Sequence, residues 1–108
     1  MTLAEFEAKL NTIGIPCAYY AFPEEKAPSL PFICWLTPNT NNFAADGIMW
    51  FASNQVVVEL YEKNRDFNLE GKVEEALSLF YWEKEATYLE DEKCCEVVYT
   101  VGGYITNG

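Results

Sequence analysis

A chain of 108 residues, of which 50% are hydrophobic and 16% aromatic, is too apolar for a disordered protein and long enough for one domain with a hydrophobic core. Its net charge of −10, from 17 acidic and 7 basic residues, disfavours binding to nucleic-acid backbones and to anionic membranes. The same charge is compatible with an ordinary soluble surface, with a wall past which DNA slides, and with a patch that mimics DNA.

No targeting or membrane-spanning segment is predicted. The N-terminal stretch carries Glu5 and Glu7 where a signal peptide would carry bases, and the apolar runs are much shorter than the roughly 20 residues that cross a bilayer. We therefore expect a protein that is made and kept inside a cell.

The four cysteines do not indicate a metal site. No pair has the Cys-x-x-Cys spacing, the sequence contains no histidine, and nothing suggests secretion, so neither zinc nor a disulfide framework is expected. Cys94 and Cys95 are adjacent and would point to opposite faces of a strand. At least one of them is therefore predicted to be a small buried residue.

The first elements in the chain are a helix and two short strands. Thr2 and Glu5 form a capping box, an apolar stripe follows at helical spacing, and Gly14 ends the pattern, which predicts a helix over about residues 3–13. Aromatic and apolar runs, separated by a proline-rich loop, then predict strands over residues 17–22 and 32–36.

The middle of the chain combines a polar connection with the clearest strand. Residues 37–47 are rich in asparagine and end in Asp-Gly, a tight-turn signal, so they are predicted to form a long loop. Apolar residues at 48–52 and 55–61 predict strands. The Ser53-Asn54 pair between them is compatible with a turn between two strands or with a bulge within one long strand.

The last part of the chain predicts a second helix and a hairpin. Apolar residues at helical spacing predict the helix over residues 65–80, and two runs joined by a charged turn predict strands over 83–89 and 94–101. Residues 102–108 are expected to be a loose tail. Because strands come in runs rather than alternating with helices, the single domain 1–108 is predicted to be α+β, a mainly antiparallel β-sheet with two helices packed on it.

The sequence does not predict an enzyme. Without histidine there is no Ser-His or Cys-His pair, and no glycine-rich phosphate loop is present. Paired carboxylates fall in predicted loops or on the polar face of the second helix, where a solvated surface is expected, at Glu24-Glu25, Glu74-Glu75 and Glu90-Asp91-Glu92. We therefore expect no catalytic residue, no cofactor and no metal.

Aromatic residues in the middle of the chain suggest a subunit contact instead. Phe43 lies in a polar, asparagine-rich run as an anchor would, although packing against its own core would explain it equally well. Trp50 and Phe51 are adjacent and would face opposite sides of a strand, so one of them can be exposed for contact. We predict a subunit interface that includes Asn42, Phe43 and Trp50.

Six runs between about residues 10 and 101 carry a resemblance to a known family. They are Ile-Pro-Cys-Ala-Tyr-Tyr at 15–20, Leu-Pro-Phe-Ile-Cys-Trp at 30–35, Asn-Asn-Phe-Ala-Ala-Asp at 41–46, Gln-Val-Val-Val-Glu-Leu-Tyr at 55–61, Leu-Glu-Gly-Lys-Val-Glu-Glu-Ala-Leu at 69–77 and Glu-Ala-Thr-Tyr-Leu-Glu at 85–90. In content and order these runs resemble the tail terminator proteins of siphophages and prophages, also called tail completion or head-tail joining proteins.

The resemblance implies a small α+β protein that forms a hexameric ring, caps the tail tube, stops its polymerisation and offers a surface to the head connector. Its partners would be copies of itself, the tail tube protein and the head connector protein, with DNA only passing through the lumen. It would be made in the host bacterial cytoplasm and reside in the tail or neck of the virion. The family has no catalytic signature, so no functional residue is carried over.

The residues are compatible with this implication. An acidic balance suits a lumen that DNA crosses without binding, and a closed ring needs two different complementary patches on each subunit. Two alternatives stay open: another neck or tail-tube component, and an acidic DNA-mimic inhibitor, which the net charge and small size suggest. A mimic would carry acids spaced like phosphates over one face, whereas here the acids are scattered among apolar elements.

Overall fold

The structure is a computed structural model that describes residues 1–45, 48–103 and 105–107, with side chains described outside residues 39–53. The elements in this part of the chain are, in order, α1 (Leu3–Asn11), β1 (Cys17–Tyr19), one 3₁₀ turn (Glu24–Lys26), β2 (Phe32–Ala45), β3 (Ile48–Glu62), α2 (Phe67–Ala76), β4 (Tyr81–Leu89) and β5 (Cys94–Gly102).

One five-stranded sheet organises the molecule, with the strand order β1-β2-β3-β5-β4. β1 runs parallel to β2, and the other three pairs are antiparallel. Two hairpins between sequence neighbours, β2–β3 and β4–β5, are joined through the β3–β5 pair. The predicted class, a mainly antiparallel sheet with two helices, is confirmed.

Both helices contribute to a core on one face of the sheet. The fully buried residues come from both helices and the inward positions of the strands, and they include Phe6, Leu10, Ile33, Val56, Val58, Leu60, Val73, Leu77, Val97 and Tyr99. Alternate residues of β3 and β5 belong to this set, as the two-residue period of a strand requires. The opposite face of the sheet carries the intervening residues of the same strands.

Local side-chain bonds fix where the helices begin. The Glu5 amide donates to Thr2 Oγ1 at 3.1 Å and the Thr2 amide donates to Glu5 Oε1 at 3.0 Å, so the predicted capping box is present. In α2 the Leu69 amide donates to Asp66 Oδ1 at 3.0 Å. These bonds satisfy amides that the first turn of a helix leaves without a partner.

The predicted loop over residues 37–47 is wrong for residues 37–45, because β2 continues to Ala45. β2 and β3 stay paired from Phe32↔Tyr61 to Ala45↔Ile48, with irregularities in register. The first gives β2 an extra residue beside Pro38, which is a position where a missing amide donor is tolerated. Residues 53 and 54 lie inside β3, so they form no turn between two strands.

The expected loose tail over residues 102–108 is also wrong for the residues described there. Ile105 is fully buried in the core, and Thr106 forms a parallel bridge with Thr2. The Leu3 amide donates to the Thr106 carbonyl at 2.8 Å, and the Thr106 amide donates to the Met1 carbonyl at 2.9 Å. The segment is held because burial of the Ile105 side chain is favourable. The polar residues next to Ile105 in the sequence gave no sign of this burial.

Candidate functional site

The β2–β3 hairpin extends well beyond the rest of the sheet. β2 pairs with β1 only up to Trp35, and β3 pairs with β5 only from Val56 onward. Residues 39–45 and 48–53, together called the arm, are paired with each other and with no other strand in the described part of the chain. Seven residues of β2 at about 3.3 Å each make the arm roughly 23 Å long.

The dimensions of the molecule reflect this projection. The chain measures 50 × 28 × 26 Å along its principal axes, and its Cα radius of gyration is 15.0 Å. A compact domain of this length has a radius of gyration of about 13 Å. A two-stranded ribbon is marginally stable by itself in water, so an arm of this length is a surface that further contacts would stabilise.

Asn54 attaches the base of the arm to the C-terminal segment. Its amide donates to the Ile105 carbonyl at 2.7 Å, and its side-chain Nδ2 lies 3.1 Å from the same carbonyl and 2.9 Å from Asn107 Oδ1. Because Thr106 is bridged to Thr2, the base of the arm is connected to the start of α1 as well. The arm therefore leaves the sheet from a fixed point.

The predicted interface residues fall in the arm. Asn42 pairs with Ala52 and Phe43 with Phe51, while Trp50 is the extra residue at the second irregularity of the hairpin. The side chains of Asn42, Phe43 and Trp50 lie outside the described residues, so their role in a subunit contact stays a prediction.

The arm has almost no charge. Between Leu36 and Glu59 the sequence contains one charged residue, Asp46, although 22% of the whole chain is charged. The net charge of −10 is thus concentrated elsewhere, on the body of the molecule. Electrostatic repulsion between two copies of this chain would therefore be weakest for a contact made through the arm.

The sheet face opposite the helices is acidic. Glu83 and Glu85 are exposed on β4, and Glu59 and Glu96 are half-buried on β3 and β5. The Tyr61 hydroxyl lies 2.8 Å from Glu96 Oε2 and 3.2 Å from Glu59 Oε1. Burial raises the pKa of Glu59, against the opposing effect of its hydrogen bond with Tyr61.

An apolar groove lies where β4 begins and β5 ends. It has a volume of about 590 Å³ and is called the Tyr81 groove below; its lining includes Met1, Leu79, Phe80, Tyr81, Gly102 and Gly103. Leu79 is 71% exposed and Tyr81 is 90% exposed. Exposed side chains of this size next to one another are typical of contact surfaces.

The wall of the Tyr81 groove is rigid. Phe80 packs edge-on against the core residue Phe6, with ring centroids 5.6 Å apart. Gly103 has a φ of +149°, and a Cβ there would lie 2.7 Å from Phe80 Cδ1. Only glycine fits this position, so the backbone can lie directly against the aromatic ring.

An ionic cluster around the buried Glu70 carboxylate, with the partly exposed cations Arg65 and Lys84, fastens α2 to the sheet. Glu70 is 1% exposed and accepts two hydrogen bonds from Arg65, at 2.9 and 2.8 Å, and one from Lys84 Nζ at 3.2 Å. Lys84 Nζ also donates to Glu74 Oε2 at 2.7 Å, and Tyr99 Oη donates to the same oxygen at 2.8 Å. The Arg65 guanidinium holds the pKa of Glu70 down at about 2.

Glu62 belongs to the same cluster but has the opposite titration behaviour. It is 2% exposed, its Oε1 accepts from the Asp66 amide at 3.2 Å, and its Oε2 has no hydrogen-bond partner among the described residues. Burial, together with the neighbouring carboxyl of Glu70, raises the pKa of Glu62 to about 7. A carboxyl with such a pKa can exchange a proton near neutral pH.

This cluster was not predicted from the sequence. One signal was available, since Glu62 continues the inward-facing series Val56, Val58 and Leu60 of β3, where an acid is unexpected. The rest of the cluster comes from α2, β4 and β5, and no local pattern connects those positions. Cys94 is buried, which confirms the expectation that at least one of Cys94 and Cys95 is a buried residue.

Comparison with known proteins adds no assignment. No family model, no curated protein and no solved structure matches this chain. Within the described residues, no group of three or more acidic, cysteine or histidine side chains is placed to hold a metal ion, and no helix is both long and apolar enough to cross a membrane.

Proposed function

We propose that the chain is a subunit of a phage tail terminator ring, which caps the tail tube and joins the tail to the head. The observation that carries the proposal is the arm, a ribbon of two strands that projects from the sheet and pairs with no other strand in the described part of the chain. Such a projection is suited to contact with another subunit, because the outer backbone edges of its two strands pair with no other strand described and its sequence is nearly uncharged.

The charge distribution supports the same role. A ring in the virion neck has to let DNA through, and a chain of net charge −10 repels the phosphate backbone rather than holding it. The same negative charge makes the subunits repel one another, so the contact between them has to lie where this repulsion is weak. An arm with one charged residue provides a surface on which subunits of equal sign can meet.

The role we propose is structural rather than enzymatic. The charged groups of the ionic cluster are directed at one another, since Glu70 and Glu74 accept hydrogen bonds from Arg65, Lys84 and Tyr99. This arrangement holds α2 on the sheet and is typical of an ion network with a structural role. The resemblance of the sequence to tail terminators includes the first strand of the arm, in the run at residues 41–46, and the part of β3 that follows the arm, at residues 55–61.

The first experiment measures mass in solution over a concentration series by sedimentation velocity and light scattering. A terminator ring predicts a hexamer, six times the chain mass of 12.3 kDa, or an equilibrium between monomer and hexamer. Purified tail tubes are then assembled with and without the protein. Capping predicts a narrower length distribution and a ring at one tube end in electron micrographs.

Other outcomes would contradict the proposal. A monomer at every concentration that also leaves tube lengths unchanged excludes a terminator. A monomer that instead binds a basic DNA-handling enzyme, and competes with DNA for it, supports the DNA-mimic inhibitor. A hexamer that elongates with the tube, rather than stopping it, indicates a tail-tube component.

A further inference from the structure

The arm and the Tyr81 groove lie at the same end of the sheet. Val56, the first residue of β3 that pairs with β5, is opposite Val101, and Val101 is opposite Trp82. The arm continues from that level, and the groove is built from the residues next to the same level on β4 and β5, among them Tyr81 and Gly102. Across the sheet, β5 and the segment that follows it separate the two features.

The side chains that line the groove make it suitable for binding an apolar segment. Leu79 and Tyr81 present large apolar side chains to solvent, and the rigid Phe80 ring holds the wall between them. Among the side chains that line it, that of Glu5 is charged, and Met1, which carries the α-amino group, lies in the same lining. The outer edge of β4 beside it pairs with no strand in the described part of the chain, so backbone donors and acceptors are available as well.

The arm is the segment of this chain that matches such a surface. A segment rich in acids would bring carboxylates together in this groove on a chain of net charge −10, so an apolar and nearly uncharged segment of the chain fits the groove better. Residues 43–52 read Phe-Ala-Ala-Asp-Gly-Ile-Met-Trp-Phe-Ala, with one charge. Uncharged runs elsewhere, such as residues 10–23 and 97–103, contribute to the core or to strands paired within the body of the sheet, whereas the arm projects from it.

We infer that the Tyr81 groove receives the arm of a second copy of this chain. This inference deepens the proposed function, on which it rests for the ring, by assigning the two complementary patches that a closed ring requires. Leu79 and Tyr81 supply the buried anchor of the contact, and the unpaired edge of β4 supplies backbone hydrogen bonds.

Two defective variants separate the two patches. The groove variant combines Leu79→Ser with Tyr81→Ser, which changes exposed side chains and leaves the core intact. The arm variant replaces residues 42–52 by Asn-Gly, which closes the hairpin after Asn41↔Ser53 and keeps every pair with β1 and β5. If that shortened chain misfolds, Phe43→Glu tests the arm by charge alone. Circular dichroism and thermal unfolding establish that each variant is folded.

Each variant is compared with the native chain by sedimentation velocity. We expect each to lose self-association by about tenfold or more in dissociation constant, as for removal of a buried large side chain. Tyr88→Ser is the matched control, because Tyr88 is a 55% exposed tyrosine on the same strand, paired with Cys95 at the far end from the groove. It should associate like the native chain.

Mixing the two variants is the decisive measurement. The arm variant keeps its groove and the groove variant keeps its arm, so a 1:1 mixture is expected to form a heterodimer although neither forms homo-oligomers. The inference is overturned if the mixture forms no heterodimer, or if both variants associate as strongly as the native chain. If the native chain is nevertheless a hexamer, the proposed ring remains supported. A native chain that stops at a dimer and gives the heterodimer supports the contact and contradicts the ring. A native chain that stays monomeric at all concentrations overturns the inference.

Discussion

Glu62 gives the clearest quantitative prediction. Glu62→Gln removes an ionisable group that is 2% exposed and lies beside the Glu70 carboxylate. The pKa of Glu62 is raised from 4.5 to about 7 by burial and by Glu70. Between these pH values the folded chain binds more protons than the unfolded chain, so the free energy of unfolding falls as pH rises through this interval.

The size of the effect follows from the same two values. Each pH unit is worth about 1.36 kcal/mol, so the native chain loses at most roughly 3 kcal/mol between pH 4.5 and pH 7 through this group. The glutamine variant does not have this loss, because it has no titratable group at this position. We expect equal stability of the two chains near pH 5 and a variant more stable by about 2–3 kcal/mol at pH 8.

Urea unfolding followed by tryptophan fluorescence, at constant ionic strength from pH 5 to pH 8, measures the difference. This window avoids the opposite contribution of Glu70, whose pKa is lowered to about 2 and whose stabilisation is lost as pH falls from 4.5 toward that value. Glu85→Gln is the control, because it removes the same charge from an exposed position on β4. It reports how net charge alone changes stability with pH.

A difference between native chain and Glu62→Gln that stays constant from pH 5 to pH 8 would refute the reasoning. So would a destabilised glutamine variant at pH 8, because that result would mean that the Glu62 carboxylate is stabilised in the fold. A change in the urea m-value between variants would point to altered compactness rather than to proton linkage.

Three further predictions concern the structural supports of the site. Thr2→Ala removes the capping box of α1 and should lower the free energy of unfolding in urea by about 1 kcal/mol, whereas Thr2→Ser should retain most of it. Gly103→Ala places a methyl group 2.7 Å from the Phe80 ring at a φ of +149° and should cost about 1–3 kcal/mol, so an unchanged thermal midpoint would contradict the tight contact. Asn54→Ala should leave the core intact but speed amide hydrogen exchange at residues 105–107, and exchange rates equal to those of the native chain would show that these bonds do not hold the segment.

The sequence predicted the elements whose signals are local. The start of α1 follows from Thr2 and Glu5, which meet because residues three apart are neighbours at a helix start, and the structure has that bond. The β4–β5 hairpin follows from two alternating runs around a charged turn, and it is present with continuous pairing from Tyr81↔Gly102 to Leu89↔Cys94. In both cases the information lies within a few residues.

The arm shows why the rest could not be predicted. Pro38 and the asparagines after it have low strand propensity, so composition favours a loop there. Strand formation depends on the partner, and β3 supplies one for each residue of β2 from Asn39 to Ala45. The ionic cluster is hidden for a similar reason: Arg65, Glu70 and Lys84 meet only once α2 lies on β4, a relation that no spacing in the sequence expresses.

The bridge between Thr2 and Thr106 has a consequence for the order of folding. Most strand pairs join sequence neighbours, whereas this bridge closes a loop of nearly the whole chain and has the largest entropic cost of closure. During synthesis it cannot form until residue 106 has left the ribosome, and the bonds from Asn54 to Ile105 and Asn107 wait for the same event. The base of the arm is thus fixed late, so a partly synthesised chain does not yet hold the arm in its final position on the sheet.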